Sequence, residues 1–552
     1  MNESTTDANR QIARAAGTVM LALVIGQVAG LVRSILVARA FGAGPELDAF
    51  FAANRVPDTI FALLAGGALS SAFIPTFTAL LAKDDQRSAW RLASAVANLL
   101  VLILSLLAAL AAIFAPQIVR YALASGFSTK DPALVTLTVN LLRIQLVAAV
   151  FFGLGGLVMG ILNSHQIFLI PALTPSMYQL GLIFGVLVLS PRMGIYGLAY
   201  GVVLGAALYL LLQIPSLLKL IPHPYRPSPF GDTVDTSPIA SRWGRLGGGL
   251  GLGNPAVGEV IRLMGPRLLG VGVVYLNFWV NTWLASFMPA GSVTGISFGF
   301  ALMLMAQTAI AQSIATAAMP TFARQYALGK TDEIRASLAA ALRGVLLLSL
   351  PASLGLILLR TPIITAIYQH GNFDARSTQL VAWALLWYAA GLVGHSLLEV
   401  LARAFYAMHD TKTPVLVGAA AMSLNVGLSF TFSALFTHLG WMPHGGLALA
   451  NSLATALEAA ALFVLMRKRL KGIEGMQVAR GFSQFAQVTL LMSLALVAWM
   501  QIASQYPAWL VALGGVAVGG VVYGLGVWAL RVPEIHSLSH AIRSKFIRPH
   551  SG

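Results

Sequence analysis

The strongest constraint on this chain is a succession of apolar runs, each long enough to cross a hydrocarbon core about 30 Å thick, which takes about 20 helical residues. Such runs occupy 15–40, 49–81, 90–115, 133–162, 168–190 and 195–218, then 257–286, 293–323, 336–359, 378–407, 414–436, 445–466, 483–502 and 508–530, fourteen in all. Inside a bilayer the backbone has no water to bond, so a spanning segment closes its own hydrogen bonds as a helix or joins a closed barrel; runs this long are helices. With 57% apolar and 10% charged residues, against about 25% charged in a water-soluble domain, a soluble enzyme is excluded. The absence of cysteine removes thiol catalysis, disulfides and thiolate metal sites.

The expected fold class is therefore an all-α polytopic membrane protein of about fourteen transmembrane helices. The expected organisation is a cytoplasmic N-terminus at 1–14, an N-lobe at 15–218 (helices 1 to 6), a linker at 219–256, a C-lobe at 257–466 (helices 7 to 12), two further helices at 467–530 and a basic tail at 531–552. The opening residues are acidic and polar before they are basic, and the apolar run that follows outlasts a signal h-region, so no cleavable signal is expected.

Charge tests the topology. A net +16 usually points to nucleic acid, but its distribution does not. With the N-terminus inside, 23 basic residues fall in inner segments and five in outer loops: Arg120, Lys130, Arg192, Arg360 and Arg376. That bias is the positive-inside pattern. It predicts both termini in the cytoplasm, an attraction to anionic inner-leaflet lipids, and no nucleic-acid partner.

The linker carries Pro222, Pro224, Pro227 and Pro229, then Asp232 and Asp235, then Gly247, Gly248, Gly249, Gly251 and Gly253. No strand precedes these glycines and no Gly-Lys-Ser/Thr follows, so they are not a phosphate loop. The flanking halves share a pattern. Ser71, Ala72, Phe73, Ile74, Pro75, Thr76 and Phe77 return as Thr316, Ala317, Ala318, Met319, Pro320, Thr321 and Phe322, each set followed by a basic loop and an alanine-rich helix, and Pro171 matches Pro414. Shared composition is the competing explanation; the matching order of loops and prolines favours a parallel repeat, as in transporters with a central substrate cavity.

Seven arginines lie within or near the helices: Arg33, Arg39, Arg55, Arg143, Arg262, Arg267 and Arg403. An arginine at the bilayer centre costs roughly 3 kcal/mol on insertion scales, so each needs water, a partner or an anion. Arg39, Arg143 and Arg262 are near helix ends, where a long stem reaches the interface. Arg33 sits deeper, with Gln27 on its face and Gly26 and Gly30 thinning the surface; Asp48 and Arg55 lie two turns apart on one face of helix 2. Two readings stand for these: the wall of a watery cavity, or an internal Arg–Asp pair pinning helix 1 to helix 2. Arg267 follows Pro266. On helix 10, His395, Glu399 and Arg403 recur at four-residue steps, either as a local ion pair beside a packing histidine or as cavity groups with a proton relay. There is no metal-protease motif, nucleophile elbow or catalytically spaced carboxylate pair, so no enzyme is expected.

The stretch from Gly26 to Pro75 resembles the MurJ (MviN) lipid II flippase family: Gly30 to Arg33, Ala38 to Gly44, Asp48-Ala49-Phe50, Val56-Pro57-Asp58 and Ala72 to Pro75. So do Met264-Gly265-Pro266, Gly291-Ser292-Val293, Leu401 to Tyr406 and Asp410 to Pro414. The resemblance runs from about 15 to 530. It implies two parallel six-helix lobes around a cationic central cavity, two C-terminal helices forming a groove for a lipid tail, and alternating-access movement of an undecaprenyl-diphosphate-linked wall precursor across a bacterial cytoplasmic membrane. Arg33, Asp48, Arg55, Arg267, Glu399 and Arg403 become the candidate substrate-binding residues. Guanidinium forks suit a diphosphate.

Departures accompany the match. Gly26-Gln27, Ser34, Phe61, Gly66 and Ala301 stand where the family usually has other residues, and at least two expected cavity arginines are missing. Arg267, Arg403 and Glu399 are then local substitutes, or the substrate is another polyprenyl-diphosphate glycan. Some members bind sodium near helices 7, 11 and 12. Asn425 and Thr455 match ligand positions, while Ser429 replaces an expected carboxylate. Coupling is therefore expected from sodium or the membrane potential, with no other cofactor or metal. Expected partners are the lipid-linked glycan, membrane lipids and the machinery of wall synthesis. A cation-coupled drug antiporter and a non-transporting scaffold are the alternatives.

Overall fold

The computed structural model describes residues 22, 24–64, 67–221 and 255–530, and every regular element among them is helical. The expected N-terminus at 1–14, nearly all of the linker at 219–256, the tail at 531–552 and Gly66 lie outside the described residues. The helices are α1 (Val24–Phe41), α2 (Pro45–Leu64), α3 (Gly67–Ala82), α4 (Gln86–Ile113), α5 (Pro132–Ser164), α6 (Leu169–Met193), α7 (Ile195–Leu220) and α8 (Pro255–Phe287). Then come α9 (Ser292–Ala327), α10 (Thr331–Tyr368), α11 (Ala375–Ala390), α12 (Leu392–Ala407), α13 (Lys412–His438), α14 (His444–Arg469), α15 (Gly475–Ile502) and α16 (Ala508–Ala529).

Among the described residues, 11 helices are long and apolar enough to span, or 13 if the bent pairs at 255–287 and 375–407 each count as one. The expected fourteenth corresponds to α2 and α3. Glu46, Asp48, Arg55 and Asp58 all fall on α2 and depress its hydropathy, and residues 65 and 66 between the two helices are not described.

Loop aspartates start several of these helices. Asp85, Asp131 and Asp374 accept hydrogen bonds from the backbone N–H groups of Ser88 (3.0 Å), Ala133 (2.8 Å) and Ser377 (2.7 Å). Each thereby satisfies an orphan donor of the first turn and places negative charge at the positive end of the helix dipole.

Two compact units result, Met1–Phe287 and Met288–Gly552. The packing boundary therefore falls one helix later than the sequence-based lobe boundary at 257. α8 packs on α2, α3 and the short helix Ser125–Lys130 of the first unit. Linker composition marks where the chain leaves the membrane, and the polar side chains Asn277, Asn281, Thr282 and Ser286, all buried, decide what α8 packs on.

The repeated motif has the same job in each unit. Phe77 is fully buried against Ala89, Trp90 and Leu92 of the following helix, and Phe322 is buried in a cluster with Ile334, Leu338 and Leu342 of its own following helix. Without a water-driven force between helices in lipid, close packing carries association. α6 crosses α7 closely enough that a β-carbon on Gly181 would collide with the Cα of Gly205, so only glycine permits this approach. α15 and α16 pack on α10 through Phe485, Met492 and Tyr523, whose hydroxyl donates to Leu347 O at 2.6 Å.

Candidate functional site

The first unit gathers its polar side chains where α1, α2, α6 and α8 meet. On α1, the missing side chains of Gly26 and Gly30 admit α6: their β-carbons would sit 3.3 Å from Ser176 Oγ and 3.6 Å from Gln179 Nε2. One turn on, Arg33 Nη2 donates to Ser34 Oγ at 3.0 Å, and Ser34 donates to Gly30 O at 2.9 Å.

On α2, Arg55 Nε donates to Thr282 Oγ1 of α8 at 3.1 Å, and its guanidinium lies 5.3 Å from the Phe278 ring centroid, within cation–π range. Thr59 donates to Arg55 O at 2.6 Å and accepts from Trp279 Nε1 at 2.8 Å, which fixes α2 against α8 one turn away. Asp58 accepts from Asn54 Nδ2 at 2.7 Å and lies within electrostatic range of both Arg55 and Arg33. Tyr178 of α6 and Tyr275 of α8 lie within electrostatic range of the same carboxylate. Arg33, Asn54, Arg55, Asp58, Tyr178 and Tyr275 are all half-buried, so the charges sit in a polar patch and are not sealed in the core.

The structure thus places Arg33 and Arg55 both within electrostatic range of Asp58. Asp48 is buried, 3% exposed, and its charge acts on Lys130. Lys130 Nζ donates to Ser286 O at 2.8 Å, and burial holds its ammonium below the ordinary value despite the opposing pull of Asp48. Asp58 supplies an Arg–Asp relation between helix 1 and helix 2 that the sequence reading did not name. Asp58 was in plain view, three residues after Arg55 and therefore on its face; an intramembrane carboxylate is by itself a functional signal. Arg267 lies on α8, and its side chain is outside the described residues.

In the second unit, the charges of α12 are locally spent. Arg403 pairs with Glu399 at 2.8 Å and donates through Nη1 to Gln312 O at 3.1 Å, at the end of a widened turn of α9 spanning Thr308–Gln312. A widened turn displaces carbonyls from their helical donors, and the guanidinium takes one of them. His395 is bonded to Asn451 Oδ1 at 3.1 Å. These contacts favour the packed ion pair over a group aimed at a ligand.

Asn425 and Thr455 are buried on α13 and α14, and Ser429 donates to Asn425 Oδ1 at 3.2 Å. Sequence reasoning passed over Glu458, one turn beyond Thr455. It is 8% exposed, and its Oε2 has no hydrogen-bond partner among the described residues.

Comparison with known proteins gives a consistent picture. Residues 37–514 match the family model described as lipid II flippase MurJ. A protein from Burkholderia cenocepacia named lipid II flippase MurJ is 31% identical over 458 residues, covering 83% of this chain and 84% of its own. A solved structure of lipid II flippase MurJ in an inward closed conformation superposes with a TM-score of 0.74 at 24% identity, covering 96% of this chain and 99% of that one. An inward-facing multidrug resistance MATE family transporter of the MOP superfamily follows at 0.62 and 16% identity, covering 83% and 99%. The two solved structures speak for the fold.

Proposed function

This chain belongs to the MurJ lipid II flippase family, and from that premise we propose that it moves lipid II, the lipid-linked precursor of peptidoglycan, from the inner to the outer leaflet by alternating access. The observation that carries the site assignment is the meeting of Arg33 and Arg55 around Asp58. A diphosphate is a dense, doubly charged acceptor that has to be taken out of water near the bilayer, and two guanidinium groups match it with parallel N–H donors.

Asp58 gives that patch its second state. With no anion present, its carboxylate offsets the two arginines and lowers the cost of holding them within the helix bundle. An arriving diphosphate competes with the carboxylate for the same guanidinium groups, so binding is strong enough to capture and weak enough to release. Phe278 and Thr282 hold Arg55 in place for this exchange. Asp48 belongs, through Lys130 and Ser286, to the other end of α2 and keeps the outer loop on α8.

The 23-to-5 distribution of basic residues supports a cytoplasmic location for both termini. Enzymes that consume lipid II on the outer face are the expected partners in wall synthesis. For sodium, the candidate donors are Asn425 and Thr455, with Glu458 one turn beyond Thr455. Glu458 Oε1 lies 3.0 Å from where a β-carbon on Gly418 would be, seven residues and so about 10 Å along α13 from Asn425. The Asn425 amide oxygen already accepts from Ser429. We take the membrane potential as the drive, which needs no resident cation. Collapsing the potential at constant sodium stops flipping on this reading; removing sodium at constant potential stops it on the other.

The direct test is flipping of lipid II by the purified protein in vesicles. Wild-type protein translocates it, and Arg33→Ala or Arg55→Ala protein, still monodisperse, does not.

A further inference from the structure

Arg143 takes no part in this site, and its surroundings give it a different ligand. It lies on α5 with Asn140 and Ile144 on the same face, at the level where three helix ends converge: the last turn of α4, the end of α6 at Met193 and the start of α7 at Ile195. Arg143 Nε donates to Ala112 O in that last turn of α4 at 3.1 Å. With Asn140, Ile144, Met193, Tyr196 and Tyr200 it lines an open cleft of about 580 Å3. Asn140 Nδ2 donates to the Tyr196 hydroxyl at 3.4 Å, which leaves the phenolic proton and the Asn140 amide oxygen without a protein partner among the described residues.

The surface around the cleft is the kind that faces lipid. Ile113 is 65% exposed, and Phe114, Val147, Val188 and Met193 are exposed with it. Helix ends mark the headgroup level, and an arginine with an apolar rim there reaches for phosphate. No carboxylate lines the cleft to receive an ammonium group.

We propose that this cleft binds the headgroup of an anionic, glycerol-bearing phospholipid of the leaflet it opens to, which is the outer leaflet on the orientation read from the basic loops. The Arg143 guanidinium grips the phosphodiester, and Tyr196 and Asn140 bond the headgroup hydroxyls. An acyl chain then runs down past Val147, one turn deeper on the same helix face. Such a lipid holds the ends of α4, α6 and α7 together at the interface.

Native mass spectrometry of the full-length detergent-purified protein tests this, with phosphatidylglycerol and phosphatidylethanolamine of identical acyl chains supplied at equal concentration. The readout involves no flipping, so it stands apart from the transport reading. The wild type is expected to retain phosphatidylglycerol over phosphatidylethanolamine. Arg143→Gln lowers the retained fraction about tenfold, the scale of one charge-assisted contact, and Tyr196→Phe lowers it about twofold. Arg192→Gln, outside the cleft, leaves it unchanged. Equal retention of the two lipids by the wild type, undiminished phosphatidylglycerol on Arg143→Gln, or displacement of the lipid by millimolar inorganic phosphate each overturns the proposal. If Arg143→Gln fails to fold, Tyr196→Phe decides: undiminished retention overturns it.

Discussion

Arg55 donates its Nε–H to Thr282 Oγ1 at 3.1 Å, joining α2 to α8 across 227 residues of sequence. The bond orients the guanidinium over Phe278, so the position demands a planar fork and not merely a positive charge. Arg55→Lys is therefore expected to fold normally yet flip lipid II about tenfold more slowly than the wild type, and Thr282→Val to lose about tenfold, the low end for one hydrogen bond to a charged group. Full activity of Arg55→Lys in vesicles would show that charge alone suffices.

Asp58 opposes both arginines. Asp58→Asn keeps an oxygen that can accept from Asn54 while removing the charge that competes with a diphosphate. The expected result is a split: lipid II bound about tenfold more tightly, equivalent to about 1.4 kcal/mol, with slower turnover. Binding and flipping measured on the same preparation check it, and a parallel loss of both would assign Asp58 a purely structural role.

The repeated motif predicts equal consequences in the two units. Phe77→Ala and Phe322→Ala each empty a fully buried ring site and are expected to cost about 3 to 5 kcal/mol, seen as a large drop in the thermal midpoint. Leu416→Ala, at a position 70% exposed, is expected to leave the midpoint unchanged.

The capping aspartates set the acid limit of stability. The backbone N–H of Ser88 holds the Asp85 carboxyl below its ordinary value of 3.8, Ser377 does the same for Asp374, and the backbone N–H of Thr413 for Asp410. Each folded value is depressed, so the stabilisation is complete above the ordinary value and is lost as pH falls through the lower folded one. The thermal midpoint is expected to be flat between about pH 7 and 5 as far as these groups are concerned, and to fall below about pH 4. Asp374→Asn keeps a competent cap without the titration and should make that decline shallower.

How far the sequence reached can be seen from these residues. Length and apolarity located the helices, and Arg33 and Arg55 were legible because a charge inside an apolar run needs a reason. Their partners were not legible, because Thr282, Phe278 and Tyr178 are far away in the chain and have no periodic relation to α2. Helical spacing puts Asp48 and Arg55 on one face and says nothing of the loop lysine that the fold delivers to Asp48. The allegiance of α8 was hidden for a similar reason: the linker advertises a boundary, while the buried Asn277, Thr282 and Ser286 select the neighbour. Glu399 and Arg403 were correctly placed on one face, and only the widened turn at Gln312 reveals what occupies them.

The central claim is that two arginines of the first unit carry a lipid-linked diphosphate across the membrane. Its most direct test is rescue of cells depleted of their own lipid II flippase by this chain and by its Arg33→Ala and Arg55→Ala variants, at matched membrane levels. Growth restored by the wild type and by neither variant is the predicted result. Growth restored equally by all three would contradict it.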